Sequence, residues 1–302
     1  MTATAAAPAA GVTRRRIIPT SAAALVGPAT IIVLVVLVLP MALMLRYSFN
    51  RFVPGKFMVE AVTVENYVKF ATDPYYRGVL WTTVEVSLLC TLVSLAGGFP
   101  VASFLARTQS RFKSLLIMLV VLPLLVGNVV RAAGWIVVLG TKGVVNTLLL
   151  KFGLADQPLR LLYTEGSVVV GIIAVVLPYM ILTLQSVLEG IDPSLEEAAL
   201  NLGASRLRAF LRVTLPLALP GVAAGTALVF ILCMNAYATP VLLGGPSFHM
   251  MAPSLFDQIS TASNWPFGAA LAFVLVGATL VLTAISTALF QRNYRAGDPT
   301  TR

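Results

Sequence analysis

The stretch EGIDPSLEEAALNLGASRLRAFLRVTLP fills residues 189–216 and separates two long apolar runs. Its start carries two overlapping helix-initiation signals. Asp192 before Pro193 suits an N-cap with proline at the first helical position. Ser194-x-x-Glu197 suits a capping box. Glu196 and Glu197 bring negative charge to the positive end of the helix. Gly203 stands where a left-handed glycine would close it. The reading is a helix of about ten residues, about 15 Å long at 1.5 Å per residue. A basic turn and a second helix, Ser205 to Arg212, then lead toward Pro216 and Pro220. Ala198, Ala199 and Gly203 are small enough for another surface to approach closely. A short capped helix of this kind is shaped to dock into a groove on a partner; the plainer alternative is a solvated loop helix.

On either side of this stretch the chain is too apolar for water. Of its 302 residues 58% are hydrophobic and 11% charged, whereas soluble domains average about 45–50% apolar and about 25% charged. The chain therefore reads as an integral membrane protein. Its formal charge of +9 sits between apolar runs, as loop charges that set topology, and not as a nucleic-acid surface. Cys90 and Cys233 fall inside apolar runs and read as small hydrophobic residues. The sequence shows no zinc motif, phosphate loop or nucleophile elbow, so no catalytic residue is assigned, and any ATP is hydrolysed on another chain.

Six runs meet the requirement of about 20 apolar residues for crossing the hydrocarbon core. They are 17–45, 78–106 with Glu85 as its one charge, 114–139 with Arg131 as its one charge, 166–188, 215–242 and 267–290. The first is too long for a signal-peptide core. The chain thus divides into a basic N-terminal tail, 1–16, a six-span domain, 17–290, and a C-terminal tail, 291–302. With the N-terminus inside, twelve Lys and Arg lie on the cytoplasmic side and eight outside. The short loops decide the matter: 107–113 holds three basic residues and 243–266 none. The expected fold is an all-α polytopic membrane protein with six transmembrane helices, N-in and C-in, with the loop 189–214 cytoplasmic. In the first outer loop, Thr63-Val-Glu-Asn-Tyr-Val-Lys-Phe predicts a short helix with Thr63 at its start and Tyr67 and Phe70 on one face. That helix lies on the membrane or packs on the protein.

The spacing Glu197-Ala198-Ala199-x3-Gly203-x9-Val213-x-Leu215-Pro216 resembles the EAA motif of ABC-importer permeases, with Val213 in place of the usual isoleucine. The resemblance implies the ABC type I importer permease fold, with this loop as the coupling helix that inserts into a cleft of the ATPase. Glu196, Glu197, Ala198, Ala199, Gly203, Ala204, Ser205 and Arg208 are the expected ATPase-coupling residues. Further stretches are similar to the spermidine/putrescine-type subfamily, and most to the first of its two permeases. They are Thr63-x-Glu-Asn-Tyr67, Gly98-Phe-Pro-x-Ala102, Leu122-Pro123, Val130-Arg-x-x-x-Trp135, Lys142-Gly-x-x-Asn146 and Trp265-Pro-Phe-Gly-Ala269. The subfamily implies an ATPase dimer carrying ATP and Mg, a second related permease, an extracytoplasmic solute-binding protein, and the inner membrane of a prokaryote as its place. Thr82-Thr83 and Ala132-Ala133-Gly134 depart from the subfamily pattern and leave the exact solute open. Spermidine or putrescine comes first; another small amine, an amino-acid derivative or an opine is the alternative.

A charge at the centre of a span costs about 2.5–3.5 kcal/mol on insertion scales, so it faces a cavity or a partner. Glu85 reads either as a carboxylate that attracts a cation or as a structural hydrogen-bonding group. Arg131, with Trp135 one turn on, reads as structural or gating. Asn235, Tyr237 and Thr239 precede Pro240 and the Gly/Pro-rich 243–246, which points to a broken or ended helix that lines the pathway or packs between helices. Asp257 and Trp265, in the last outer loop, are candidates for contact with the binding protein or the solute. An ion-coupled secondary transporter would need acidic or polar ion ligands in paired broken helices, and one acid in one span is a poor match. A membrane scaffold without a transport role is the remaining class.

Overall fold

The computed structural model describes residues 20–296, and the chain divides into two compact units between Arg46 and Tyr47. The tail 1–16 and the last residues, 297–302, lie outside the described residues. The first unit is built on α1, Thr20–Ser48, whose apolar sequence contains Pro28 and Pro40. It continues three residues beyond the expected end at 45. Ile17, where the run begins in sequence, precedes the described residues.

The second unit opens with a two-stranded antiparallel hairpin, β1 Arg51–Val53 and β2 Lys56–Val59, inside what reads in sequence as plain loop. Helix α2, Glu65–Thr72, follows. The N-cap is Val64 and not Thr63, and no side chain caps the helix; Thr63 Oγ1 accepts the Glu65 amide at 3.1 Å in the turn that precedes it. Tyr67 reaches Ser48 Oγ at 2.8 Å, and Phe70 joins the apolar cluster around Phe267. The helix therefore packs on the protein, the second of the two readings.

Helix α3, Pro74–Arg107, is capped by Asp73, whose carboxylate accepts the Tyr75 amide. The expected third span is divided. The apolar residues continue through α4, Lys113–Val121, but Pro123 lies in a 3-10 turn, Leu122–Leu125, and Val126 is extended. The helix restarts as α5, Asn128–Leu139. Helix α6, Val144–Lys151, follows a tight turn closed by buried Asn146. Its amide donates to the Gly140 and Leu159 carbonyls, and its oxygen accepts the Leu159 amide. Then come α7, Glu165–Glu189, and the loop helices α8, Pro193–Asn201, and α9, Arg206–Ala209. A π-helical turn, Phe210–Thr214, leads into α10, Leu215–Met234. The expected fifth span thus stops at Met234, and α11, Ala238–Leu243, is a separate turn of helix beyond the break. Helix α12, Met251–Ser260, occupies the last outer loop, and α13, Trp265–Ala296, runs past the expected end at 290.

Six segments among the described residues are long and apolar enough to cross a membrane. They match the sequence reading except in the third region, where Lys113–Leu125 is short and Asn128–Lys151 meets the length, and in the fifth, which is Arg206–Met234 and not 215–242. Helices α3, α7 and α10 pack on one another, and Val86, Cys90, Ile172, Met180, Leu184, Val222 and Cys233 fill their interface. Both cysteines are fully buried there. The close packing depends on small residues, as helix association in lipid generally does. A Cβ on Gly221 would stand 2.5 Å from Val187, and one on Gly171 would stand 2.6 Å from Thr239.

These contacts make opposite predictions for two formally similar substitutions. Gly97 has nothing within 4 Å of an added Cβ. Gly97→Ala, which removes helical glycine entropy, should leave the thermal midpoint of the detergent-solubilised protein unchanged or raise it. Gly221→Ala should lower it, because overpacking costs about 1–3 kcal/mol. Equal midpoints for the two variants would contradict the packing described.

Candidate coupling helix and pathway cavity

The loop 189–214 folds largely as its punctuation specifies. Asp192 is the N-cap of α8, and its carboxylate accepts the Ser194 amide at 2.9 Å. That backbone hydrogen bond, then one from the Ser194 hydroxyl, holds the Asp192 carboxyl below the usual range. Its capping contribution is therefore complete at neutral pH and is lost only as pH falls through the lowered value. The alternative capping box at Ser194 and Glu197 does not form, because the helix begins at Pro193, two residues before the start that an N-cap at Ser194 would give. At the other end Gly203 has φ +85°. The Gly203 amide bonds the Leu200 carbonyl and the Ala204 amide bonds the Ala199 carbonyl, the paired bonds of a Schellman turn. Ser205 then caps α9 through the Arg208 amide.

The turn of the helix sorts the eight expected coupling residues. Glu197, Ala198, Gly203, Ser205 and Arg208 are exposed, and Ala199 and Ala204 are half-buried. Leu202, next to the turn, is 89% exposed. Glu196 points the other way, toward the bundle. Its Oε2 accepts from Arg107 Nη2 at 2.7 Å and from Thr214 Oγ1 at 3.2 Å. Lys113 pairs similarly with Glu189 at 2.8 Å. The basic loop 107–113, which sets topology by its charge, thus also braces the coupling loop. Sequence reasoning missed Arg107 and Thr214, since partners 89 and 18 residues from Glu196 leave no local signal.

At the other broken span lies a cavity of about 540 Å³ whose walls come from α5, α7, α10 and α11. Asn128, Tyr179, Asn235, Tyr237 and Thr239 supply its polar groups, and the remaining lining is apolar. The three residues expected on the fifth span are therefore brought together there. Asn235 donates to the Ile231 carbonyl at 2.9 Å, and the Tyr237 ring rests 5.0 Å from that of Phe256 on α12. Asn128 and Tyr179 escaped the sequence reading because nothing in an apolar run marks a break or its facing helix.

The other candidates lie elsewhere. Glu85 is on the exposed side of α3 and does not line the cavity. Asp257 is exposed on α12, and half-buried Trp265 is the first residue of α13, so neither is in irregular loop. Arg131 sits in the first turn of α5, where its guanidinium donates to the carbonyls of Pro123 and Val126. It thereby ties the start of α5 to the turn before it, where the Pro123 carbonyl also accepts the Val126 amide. Trp135 packs against the main apolar cluster.

The family profile described as "Binding-protein-dependent transport system inner membrane component" matches residues 89–295. The spermidine/putrescine transport system permease protein PotB of Haemophilus influenzae is 34% identical over 255 residues, which cover 84% of this chain and 88% of that protein. PotB of Escherichia coli is 34% identical over 237 residues, 78% of this chain and 86% of that protein. A chain in the crystal structure of a bacterial alginate ABC transporter, in complex with alginate pentasaccharide-bound periplasmic protein, has the same fold. The TM-score is 0.76 at 18% identity, over 91% of this chain and 95% of that one. The protein therefore belongs to the binding-protein-dependent transport system inner membrane component family, and is a multi-pass membrane permease subunit of an ABC transporter.

Proposed function

We propose that this chain is one of two different permeases in an ATP-driven importer of a small cationic solute, spermidine or putrescine first. The observation that carries the reading is the exposed helix α8, capped at both ends, with Glu197, Ala198 and the Gly203 of its closing Schellman turn all exposed. In this reading ATP and Mg reside on a partner ATPase dimer, and this chain has no ATPase site of its own. A binding protein outside the membrane delivers solute to a cavity shared with the second permease. The helix around Glu197–Gly203, with Arg208 beside it, docks in the ATPase and passes its closure to the spans.

The 34% identity to permeases named for spermidine and putrescine supports the choice of solute. Tyr179 and Tyr237 offer ring faces to an ammonium group, and Asn128 and Asn235 offer amide oxygens. Glu85 fits the same scheme from another direction. An exposed carboxylate inside an apolar span is unfavourable in lipid, so its side of α3 faces the second permease or a water-filled path. The neutral cavity lining favours one second reading: a solute that carries both charges, such as an amino-acid derivative or opine.

Two measurements on the complex reconstituted in proteoliposomes check this. A β-branched residue at the left-handed position costs about 1–3 kcal/mol. Gly203→Val should therefore insert normally and lose ATP-dependent uptake, as should Glu197→Lys; normal transport by both variants would sink the coupling role of α8. Separately, labelled spermidine should enter only with ATP inside and binding protein outside, and unlabelled putrescine should compete. Absence of spermidine uptake from a complex that hydrolyses ATP in response to its binding protein would exclude the polyamine reading and leave the double-charged class.

A further inference from the structure

Helix α8 is joined to the bundle covalently only through two short irregular links, Gly190–Asp192 and Leu202–Ser205. Between α8 and the bundle lies a cavity of about 290 Å³, with Ser103, Leu188, Pro193 and Phe210 among its walls. Beyond the adjoining π turn and α9, on which it packs, α8 faces the bundle across this cavity, so a side-chain bond there carries a push that packing alone does not. Among the described residues, Glu196 is the α8 side chain that bonds other helices. One carboxylate oxygen takes both Arg107 in the last turn of α3 and Thr214 at the head of α10.

We propose that Glu196, Arg107 and Thr214 form a transmission latch, and that Glu196 is a positioning residue inside this chain and not a contact to the ATPase. The assignment rests on the importer reading above. Three features of the site support it. The Arg107 and Glu196 side chains are 33% and 30% exposed, so the pair is partly shielded from the water that weakens surface ion pairs. Thr214 is buried at 4% exposure and closes the π turn, a conformation that recurs at functional sites because it inserts a residue into the helical ladder. From there α10 runs 20 residues, about 30 Å, to the break where Asn235 lines the cavity. Phe210, meanwhile, meets Phe99 of α3 edge-on at 5.6 Å, which ties the π turn to the bundle, and Glu196 is the α8 side chain that bonds both α3 and that turn. A displacement of α8 thus reaches α3 and α10 together through one carboxylate.

The test uses the whole reconstituted importer and reads two quantities, ATPase retained per permease and solute moved per ATP hydrolysed. Glu196→Gln and Arg107→Ala should retain ATPase at the wild-type ratio while solute moved per ATP falls about tenfold. Thr214→Val, which keeps the branched shape and removes the hydroxyl, should lower it about threefold. The exchange of Arg107→Glu with Glu196→Arg should recover most of the loss. Normal solute per ATP in the single variants would overturn the latch. So would loss of the ATPase itself, which would make Glu196 a docking contact, or failure of the exchange to restore coupling. A wild-type complex that binds no ATPase would instead sink the importer reading, so the two failures are distinguishable.

Discussion

Backbone amides and carbonyls inside a bilayer have no water to bond, so a break in a spanning helix exists only where the protein supplies the missing partners. This constraint organises the structure. In the third region Pro123 removes a donor and Val126 turns extended, its amide returning to the Pro123 carbonyl, and the Arg131 guanidinium bonds the Pro123 and Val126 carbonyls. In the fifth span the chain leaves the helix at Asn235, whose side-chain amide returns to the Ile231 carbonyl. The outer pieces beyond the breaks, α5 and α11, pack on each other. The cavity lies where the two breaks meet the unbroken α7. A cavity with polar groups in its wall thus lies where the backbone is irregular.

The same logic, in reverse, governs the water-side loop. There solvent satisfies any backbone group, and a defined shape has to be imposed by caps. Asp192, the Gly203 turn and Ser205 impose it. What solvent does not supply is a mechanical connection. The Glu196 carboxylate provides one by joining the loop helix to two spans that also pack on each other. The Glu196 contact and the cavity thereby lie at opposite ends of α10.

Much of this was legible in the amino-acid order. Hydropathy placed the spans, because burial in lipid needs length and apolarity and little else. The coupling helix could be bounded to within a residue, since caps are local: an aspartate before proline, and a glycine that alone adopts φ +85° without strain. Two overlapping caps were offered at its start, and only the geometry chose Asp192 over Ser194. The break at Val126 and Gly127 was hidden, because apolar residues carry the same hydropathy in a continuous helix and a divided one. The Arg107–Glu196 pair was hidden for another reason. Its members lie 89 residues apart, and their charges had already been read as topology and docking signals. Glu85 was not assignable from sequence, because a lone carboxylate in an apolar run reads the same whether it attracts a cation or accepts a structural hydrogen bond.

The most direct measurement of the central claim is site-directed crosslinking within the assembled importer. A cysteine placed at Ala198, on the outward face of α8, is paired with a photoreactive thiol reagent, and the adducts are identified by mass spectrometry. The account predicts a crosslink to the ATPase that intensifies or weakens with nucleotide, and none from a cysteine placed at Glu196. Crosslinking only to lipid, to this chain or to the binding protein would contradict it, since the helix would then face something other than the motor.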